Sequence, residues 1–356
     1  MHNHILNIWF IAVKILTGLI QSYTDRHLVH HYLIFIFLAL GIPEDATATP
    51  PCSEGELAAD TWYDRGHDYL SQKFCEPALW FDNFFSDKRS DEERSAGSFV
   101  RWRNNFRFAK GDNTMDSQLS ANITLPHAEQ RLHLLLMRED EDDPLAIPGN
   151  VKVNKPATTT NNLTDITNSQ THRTQLGLRY DFNDDRLSHL SLSGGMHAGT
   201  PLQPFVKGRY RYTNILSSDY LARFTETVYW KNLEGFSETS RFDLEHRLTP
   251  DTLIRWSNSV MFSEITRGAE LGSELSLFHQ LSTKSALAVN LGAWGYTKPT
   301  ATLSTVVLST RYRRNFYRSW LFYEIEPELG WPLDEQGERK SVPAITFRLE
   351  VQFERH

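Results

Sequence analysis

Between Ser98 and Phe353 large apolar residues recur at every second position, and charged or small polar residues fill the gaps. The last such run sets Ile345, Phe347, Leu349, Val351 and Phe353 against Thr346, Arg348, Glu350 and Gln352. The first sets Val100, Trp102, Phe106 and Phe108 against Arg101, Arg103, Asn105 and Arg107. Successive side chains of a strand point to opposite faces, so each run divides an apolar environment from a polar one. A helix of period 3.6 would scatter the same residues around its circumference.

The spacing predicts strands near residues 98–110, 116–125, 129–138, 172–182, 188–198, 204–214, 219–231, 236–248, 251–263, 268–281, 285–297, 301–313, 318–331 and 342–354. Segments such as "KGDNT", "PHAEQ", "NDDR", "SSD", "NLEG", "TPD" and "STKS" link them, rich in the residues that favour turns. Strands of a soluble sandwich average about five or six residues. These are nearer the roughly 9–11 residues with which a tilted β-strand crosses a bilayer. The polar face carries arginine and glutamate, as in Arg173, Gln175, Arg179 and Asp181 opposite Leu176, Leu178, Tyr180 and Phe182. Lipid tolerates no open sheet edge, so the strands must close. The expected fold is all-β, a transmembrane antiparallel barrel of about fourteen strands with a short N-terminal helical or plug segment.

An even strand count returns the C-terminus to the side on which the barrel begins. With that side periplasmic, links after odd strands are extracellular and longer, and the long link at 139–170, "EDEDDPLAIPGNVKVNKPATTTNNLTDITNSQ", follows the third strand.

Composition excludes several classes. Mean hydropathy is −0.45, too polar for a bundle of membrane-spanning helices. With 37 basic against 44 acidic residues there is no nucleic-acid footprint. The apolar runs lie at the start, at 5–20 and 32–41. The second, followed by Ala46 and Ala48 at an A-x-A site, reads as a secretory signal to be cut near Ala48. Residues 1–48 are thus expected to be targeting sequence, with either translation truly beginning near Leu28 or Val29 and the residues before it no part of the protein, or a membrane helix over 5–20. The only cysteines, Cys52 and Cys75, are expected to form one disulfide in an oxidising periplasm, and with His67 alone between them no metal site is implied. They fall in an N-terminal segment, 49–96, in which Trp62, Tyr63, Tyr69, Leu70, Phe74, Leu79, Trp80, Phe81, Phe84 and Phe85 recur at spacings that suit one or two short amphipathic helices, as a cap, a plug or a docking pair. Residues 97–356 make the barrel.

In the signal, the alternating strands and the aromatic Phe353 that ends the last of them, the chain resembles bacterial outer-membrane β-barrels of the porin-like class. The resemblance implies outer-membrane lipid and lipopolysaccharide as surroundings, and recognition of the terminal strand by the barrel assembly machinery, although Glu354, Arg355 and His356 extend past Phe353. Trp102, Tyr180, Tyr210, Tyr212, Tyr220, Trp230, Trp256, Tyr312, Trp320, Trp331 and Phe353 fall toward strand ends, where interfacial girdles lie.

Chemistry is sparse in the pattern. His189 and Ser191 resemble the His-x-Ser pair of lipid A deacylases, but strand direction puts them near the periplasmic end, with no assignable acidic partner. His133, His197 and His279 are isolated, and neither a phosphate loop nor an HExxH motif occurs, so no catalytic residue, cofactor or metal is assigned. Charge is the stronger signal. Arg101, Arg103, Arg107, Arg173, Arg179, Lys207, Arg209, Arg211 and Arg223 weight the early strands basic; Asp243, Glu245, Glu270, Glu274, Glu324, Glu326 and Glu328 weight the later ones acidic, with Arg241, Arg348 and Glu350 also on the polar face. These charges either line a pore or pair across strands into ladders, as Arg311, Arg313 and Arg348 would around Glu324 and Glu326. The expected function is a passive channel for small polar solutes; a lipid- or lipopolysaccharide-modifying enzyme and a surface-interaction barrel are the alternatives.

Overall fold

The computed structural model describes residues 80–82, 84, 85, 98–109, 112–125, 131–138, 174–184, 187–198, 202–266, 268–317, 320–334 and 336–355. The expected signal, both cysteines and the 139–170 link lie outside these residues.

Fourteen strands follow one another: β1 (Ser98–Ala109), β2 (Asp112–Thr124), β3 (Leu132–Arg138), β4 (Thr174–Asp184), β5 (Ser188–His197), β6 (Gln203–Ile215), β7 (Tyr220–Lys231), β8 (Gly235–Thr249), β9 (Thr252–Ser263), β10 (Ala269–Ser282), β11 (Ser285–Tyr296), β12 (Thr302–Asn315), β13 (Leu321–Pro332) and β14 (Val342–Arg355). Each pairs antiparallel with its sequence neighbours, and β14 returns to β1 to close the barrel. Ser98 meets Arg355 at one end of that seam and Ala109 meets Ala344 at the other. We call the first the terminal end, because both ends of the barrel chain lie there, and the second the loop end.

The alternation separates outside from inside as the sequence pattern requires. Along β4, Gln175, Arg179 and Asp181 are buried while Leu176, Leu178, Tyr180 and Phe182 are exposed. The outer surface is apolar: Trp102 is 49% exposed, and Phe224, Phe242, Leu275, Leu277, Phe347 and Phe353 stand out in the same way. Buried arginine and glutamate with exposed phenylalanine and leucine invert a soluble fold, and burying the exterior in hydrocarbon is what restores the ordinary hydrophobic sign.

Element boundaries differ from expectation chiefly at β2, which begins at Asp112 rather than near residue 116, so Asp112 and Asn113 of "KGDNT" belong to the strand. They pair with Ala109 and Phe108, and closure against β1 supplies ladder hydrogen bonds that outweigh their turn preference. The "NLEG" link forms a tight turn in which the Glu234 N–H donates to the Lys231 carbonyl and Gly235 takes φ of 77°, a left-handed conformation that favours glycine.

One element lies off the wall. A single helical turn at residues 80–82 and 84 is closed by Phe85 N–H donating to the Phe81 carbonyl at 2.9 Å. It packs on inward-facing residues of the barrel at the terminal end.

Candidate functional site

Three charge clusters occupy the interior. The densest joins β12, β13, β14 and β1. Register places Asn105, Arg348, Glu324 and Arg313 in one row across these strands. Glu350, fully buried, collects three guanidiniums: Arg313 at 2.7 Å, Arg103 at 2.9 Å and Arg101 at 3.6 Å. Glu324 faces Arg313 at 3.6 Å and contacts Arg348, which also reaches Glu326 at 3.4 Å and donates to Asn105 Oδ1 at 2.7 Å. Arg107 donates to Glu328 at 3.0 Å. Because every second residue points inward, an arginine strand beside a glutamate strand produces the Arg313–Glu324 and Glu324–Arg348 pairs directly, while Arg313 reaches Glu350 and Arg107 reaches Glu328 across an intervening strand. Of the two readings of these charges, pairing across strands is seen around Glu324 and Glu326 through Arg313 and Arg348.

A second cluster spans β7, β8 and β9. Arg255 donates to Glu245 at 2.8 Å and pairs with Asp82 of the helical turn at 2.7 Å; Arg223 approaches the same carboxylate at 4.0 Å. Arg241 donates to Asp243 at 3.0 Å and to Ser257 at 3.3 Å, and Ser276 donates to Glu274 at 2.9 Å. On β6, Arg209 donates to Thr227, and Arg211 lies level with His189 and Thr225 in the register. The predicted charges divide among the β12–β1 ladder, the second group, in which Arg223 faces Asp82 of the helical turn and Arg241 holds Asp243, and a third cluster that takes Arg179.

The third cluster supplies the acid that sequence could not assign to His189. Asp181 lies 3.0 Å from His133 Nε2, 3.1 Å from Arg179 and 3.4 Å from His189 Nε2. Thr124 Oγ1 completes it at 3.2 Å from His133 Nδ1. One carboxylate thus lies within 3.4 Å of two imidazoles and a guanidinium carried by β3, β4 and β5 at the terminal end. His197 contacts the Tyr229 hydroxyl at 2.6 Å, and His279 the Thr252 hydroxyl at 2.9 Å. Among the described residues no group of three or more His, Cys, Asp or Glu is placed to hold a metal ion.

The interior also has two apolar patches absent from the expected site. Leu253, Phe278, Ala286 and Ala288 form a buried cluster at the terminal end, with Phe322 packed against it. Trp294, Val307 and Met261 group nearer the loop end, the indole lying over Gly292 so closely that a Cβ there would stand 2.1 Å from Trp294 Cη2.

A closed sheet, a charged interior and an apolar exterior are now all in place. The chain is a transmembrane β-barrel. Its architecture is that of bacterial outer-membrane barrels, with Phe353 exposed on the outer face and stacked on Trp320 at a centroid distance of 5.9 Å. No protein-family model and no curated protein matches the chain. Solved structures similar in fold include the outer membrane channel DcaP of Acinetobacter baumannii, 8% identical with a TM-score of 0.43 over 72% of this chain and 96% of that one. The CymD monoaromatic hydrocarbon channel gives 7% and 0.44 over 77% and 93%, and the KdgM porin in complex with disordered oligogalacturonate gives 7% and 0.36 over 72% and 99%. The barrel assignment stands on the closed sheet and its two faces, independently of these likenesses.

Proposed function

We propose that the protein is an integral outer-membrane barrel that acts as a passive channel for small polar solutes. The observation that carries this reading is the inner wall, where the inward-facing Arg209, Arg211, Arg241 and Glu274 keep partial exposure opposite an exterior of leucine and aromatic side chains. A wall of fixed charges and hydroxyls replaces part of a solute's hydration, and fourteen strands enclose a lumen between that of filled eight-stranded barrels and open sixteen-stranded porins. Lumen-lining roles for Arg209, Arg211, Arg241 and Glu274, outer-membrane lipid and lipopolysaccharide as surroundings, recognition of the Phe353 strand by the barrel assembly machinery, and a Cys52–Cys75 disulfide belong to the same proposal.

Liposome swelling tests it. Purified full-length protein and an Asp82→Asn variant, both reconstituted as folded barrels, are challenged with uncharged sugars of increasing size. Size-limited influx through at least the variant is the expected result. Absence of influx through both overturns the channel reading and turns attention to the enzymatic and surface-binding alternatives.

A further inference from the structure

The terminal-end patch is out of character with its surroundings. A wall facing an aqueous lumen has no use for Leu253, Phe278, Ala286 and Ala288 in contact with one another, since water would have to cover them. In the structure the helical turn covers them. Phe81 and Asp82 are each 1% exposed, Phe85 2%. The rings of Phe81 and Phe85 lie 5.5 and 5.8 Å from that of Phe278, and Phe84 meets Phe322 edge-on at 6.0 Å. Trp80 stacks on Phe84 at 4.6 Å, so the aromatic side chains form one body.

Charge fixes its seat. Asp82 carries a carboxylate among apolar groups, a position that costs heavily without a counter-charge. Arg255 supplies it at 2.7 Å and Arg223 stands at 4.0 Å, while Arg311 lies 4.8 Å over the Phe85 ring from the opposite side. The turn thereby touches inward-facing residues of β7, β9, β10, β11, β12 and β13, roughly half of the circumference. Small residues make room for it: Ala286 and Ala288 stand where β11 would otherwise project larger side chains inward.

We infer that the turn at residues 80–82, 84 and 85 is an internal plug, seated in an apolar cup at the terminal end and latched by Asp82 to Arg255 and Arg223, which holds the channel closed. The inference rests on the channel reading above. Arg255 also holds Glu245 at 2.8 Å, so releasing Asp82 leaves that cation with a carboxylate, and the latch opens without stranding a buried charge on the wall. Release bares Leu253, Phe278 and the rings of Phe81 and Phe85 to water, so the seated form is the ground state and opening is the costly event.

The test is single-channel conductance in planar bilayers, comparing the full-length protein with Asp82→Asn and with Phe81→Ala/Phe85→Ala. A companion measurement follows thiol labelling of Phe81→Cys in a Cys52→Ser/Cys75→Ser background, with and without Asp82→Asn. The wild type should be closed for most of the record. Both variants should raise the open fraction on the order of tenfold, which needs a loss of only about 1.4 kcal/mol from the latch, and Asp82→Asn should accelerate labelling at position 81. Equal conductance in all three proteins overturns the plug and leaves the channel reading standing. Silence in all three, with the barrels shown to be folded, overturns both.

Discussion

Across β12, β13, β14 and β1 the inner wall carries its own counter-charges, whereas at the terminal end of β9, β10 and β11 it has an apolar patch that is covered by residues from outside the sheet. Both stretches are built from strands of 12–14 residues with the same inward–outward alternation. In the first, inward arginines and glutamates lie one or two strands apart, as Glu324 does from Arg313 and Arg348, and Glu350 from Arg313, so the buried charges are paired within the wall itself. In the second, the terminal-end inward positions hold Leu253, Phe278, Ala286 and Ala288, whose burial requires another apolar surface. The difference teaches that a barrel interior can be made rigid by its own ladder or left to accept a removable part, and that the choice is written in the inward-facing residues alone.

Four substitutions break or sharpen the contrast. The largest effect is expected from Glu350→Ala, which removes the carboxylate shared by Arg101, Arg103 and Arg313. Breaking a buried ion pair from one side costs about 3–5 kcal/mol. Denaturant unfolding of the folded barrel in detergent should register a loss of that size, and a shift below about 1 kcal/mol would show that the ladder is not structural. Asp82→Asn should cost the barrel less, no more than the roughly 1.5–3 kcal/mol of a hydrogen bond to a charged group. Its main signature should be faster proteolysis near residue 80 with the barrel core intact; parallel loss of both would mean that turn and barrel unfold as one unit.

Gly292→Ala probes the same β11 strand nearer its other end. The added methyl meets the Trp294 indole, which must shift, and overpacking relieved by a side chain should cost about 1 kcal/mol. A changed Trp294 emission spectrum checks it, since a shift confined to stability would place the strain elsewhere.

The smallest effect belongs to Asp219, in the turn between β6 and β7. Hydrogen bonds from Ser218 and then Arg247 hold its carboxyl below the usual aspartate value. A depressed carboxyl contributes stability that is fully present above its unfolded value of about 3.9 and is lost as pH falls through the lower folded value. Asp219→Asn should therefore change the unfolding midpoint only slightly at neutral pH, and its difference from wild type should vanish in strong acid. A difference that grew on acidification would reverse the sign of the argument.

Much of the architecture was legible because β-barrels advertise themselves in period two. The runs around Leu176, Trp256 and Phe347 could belong only to strands with two faces, and the Glu324 ladder followed from strand order. The β2 start escaped because Asp112 and Asn113 carry turn chemistry that pairing with β1 overrides. Asp181 could not be matched to His189 and His133 because register across β3, β4 and β5 is a property of closure, with a shift between Asp181 and Asn183 that local sequence does not announce. The apolar cup did leave a trace. Leu253–Ile254, Leu277–Phe278, Ala286–Leu287–Ala288 and Leu321–Phe322–Tyr323 double the apolar residue where alternation calls for a polar one, and each doublet marks a place where the inner face is dry.

Everything above depends on β14 dividing lipid from interior. The direct measurement is spin labelling at successive β14 positions in a Cys52→Ser/Cys75→Ser background, reconstituted in bilayers and relaxed by molecular oxygen, which concentrates in hydrocarbon. Labels at Phe347→Cys, Leu349→Cys and Val351→Cys should relax strongly and those at Thr346→Cys and Gln352→Cys weakly, a clean alternation in phase with the side chains. A uniform response, or one in the opposite phase, would contradict the barrel's sidedness, and the channel and plug readings would fall with it.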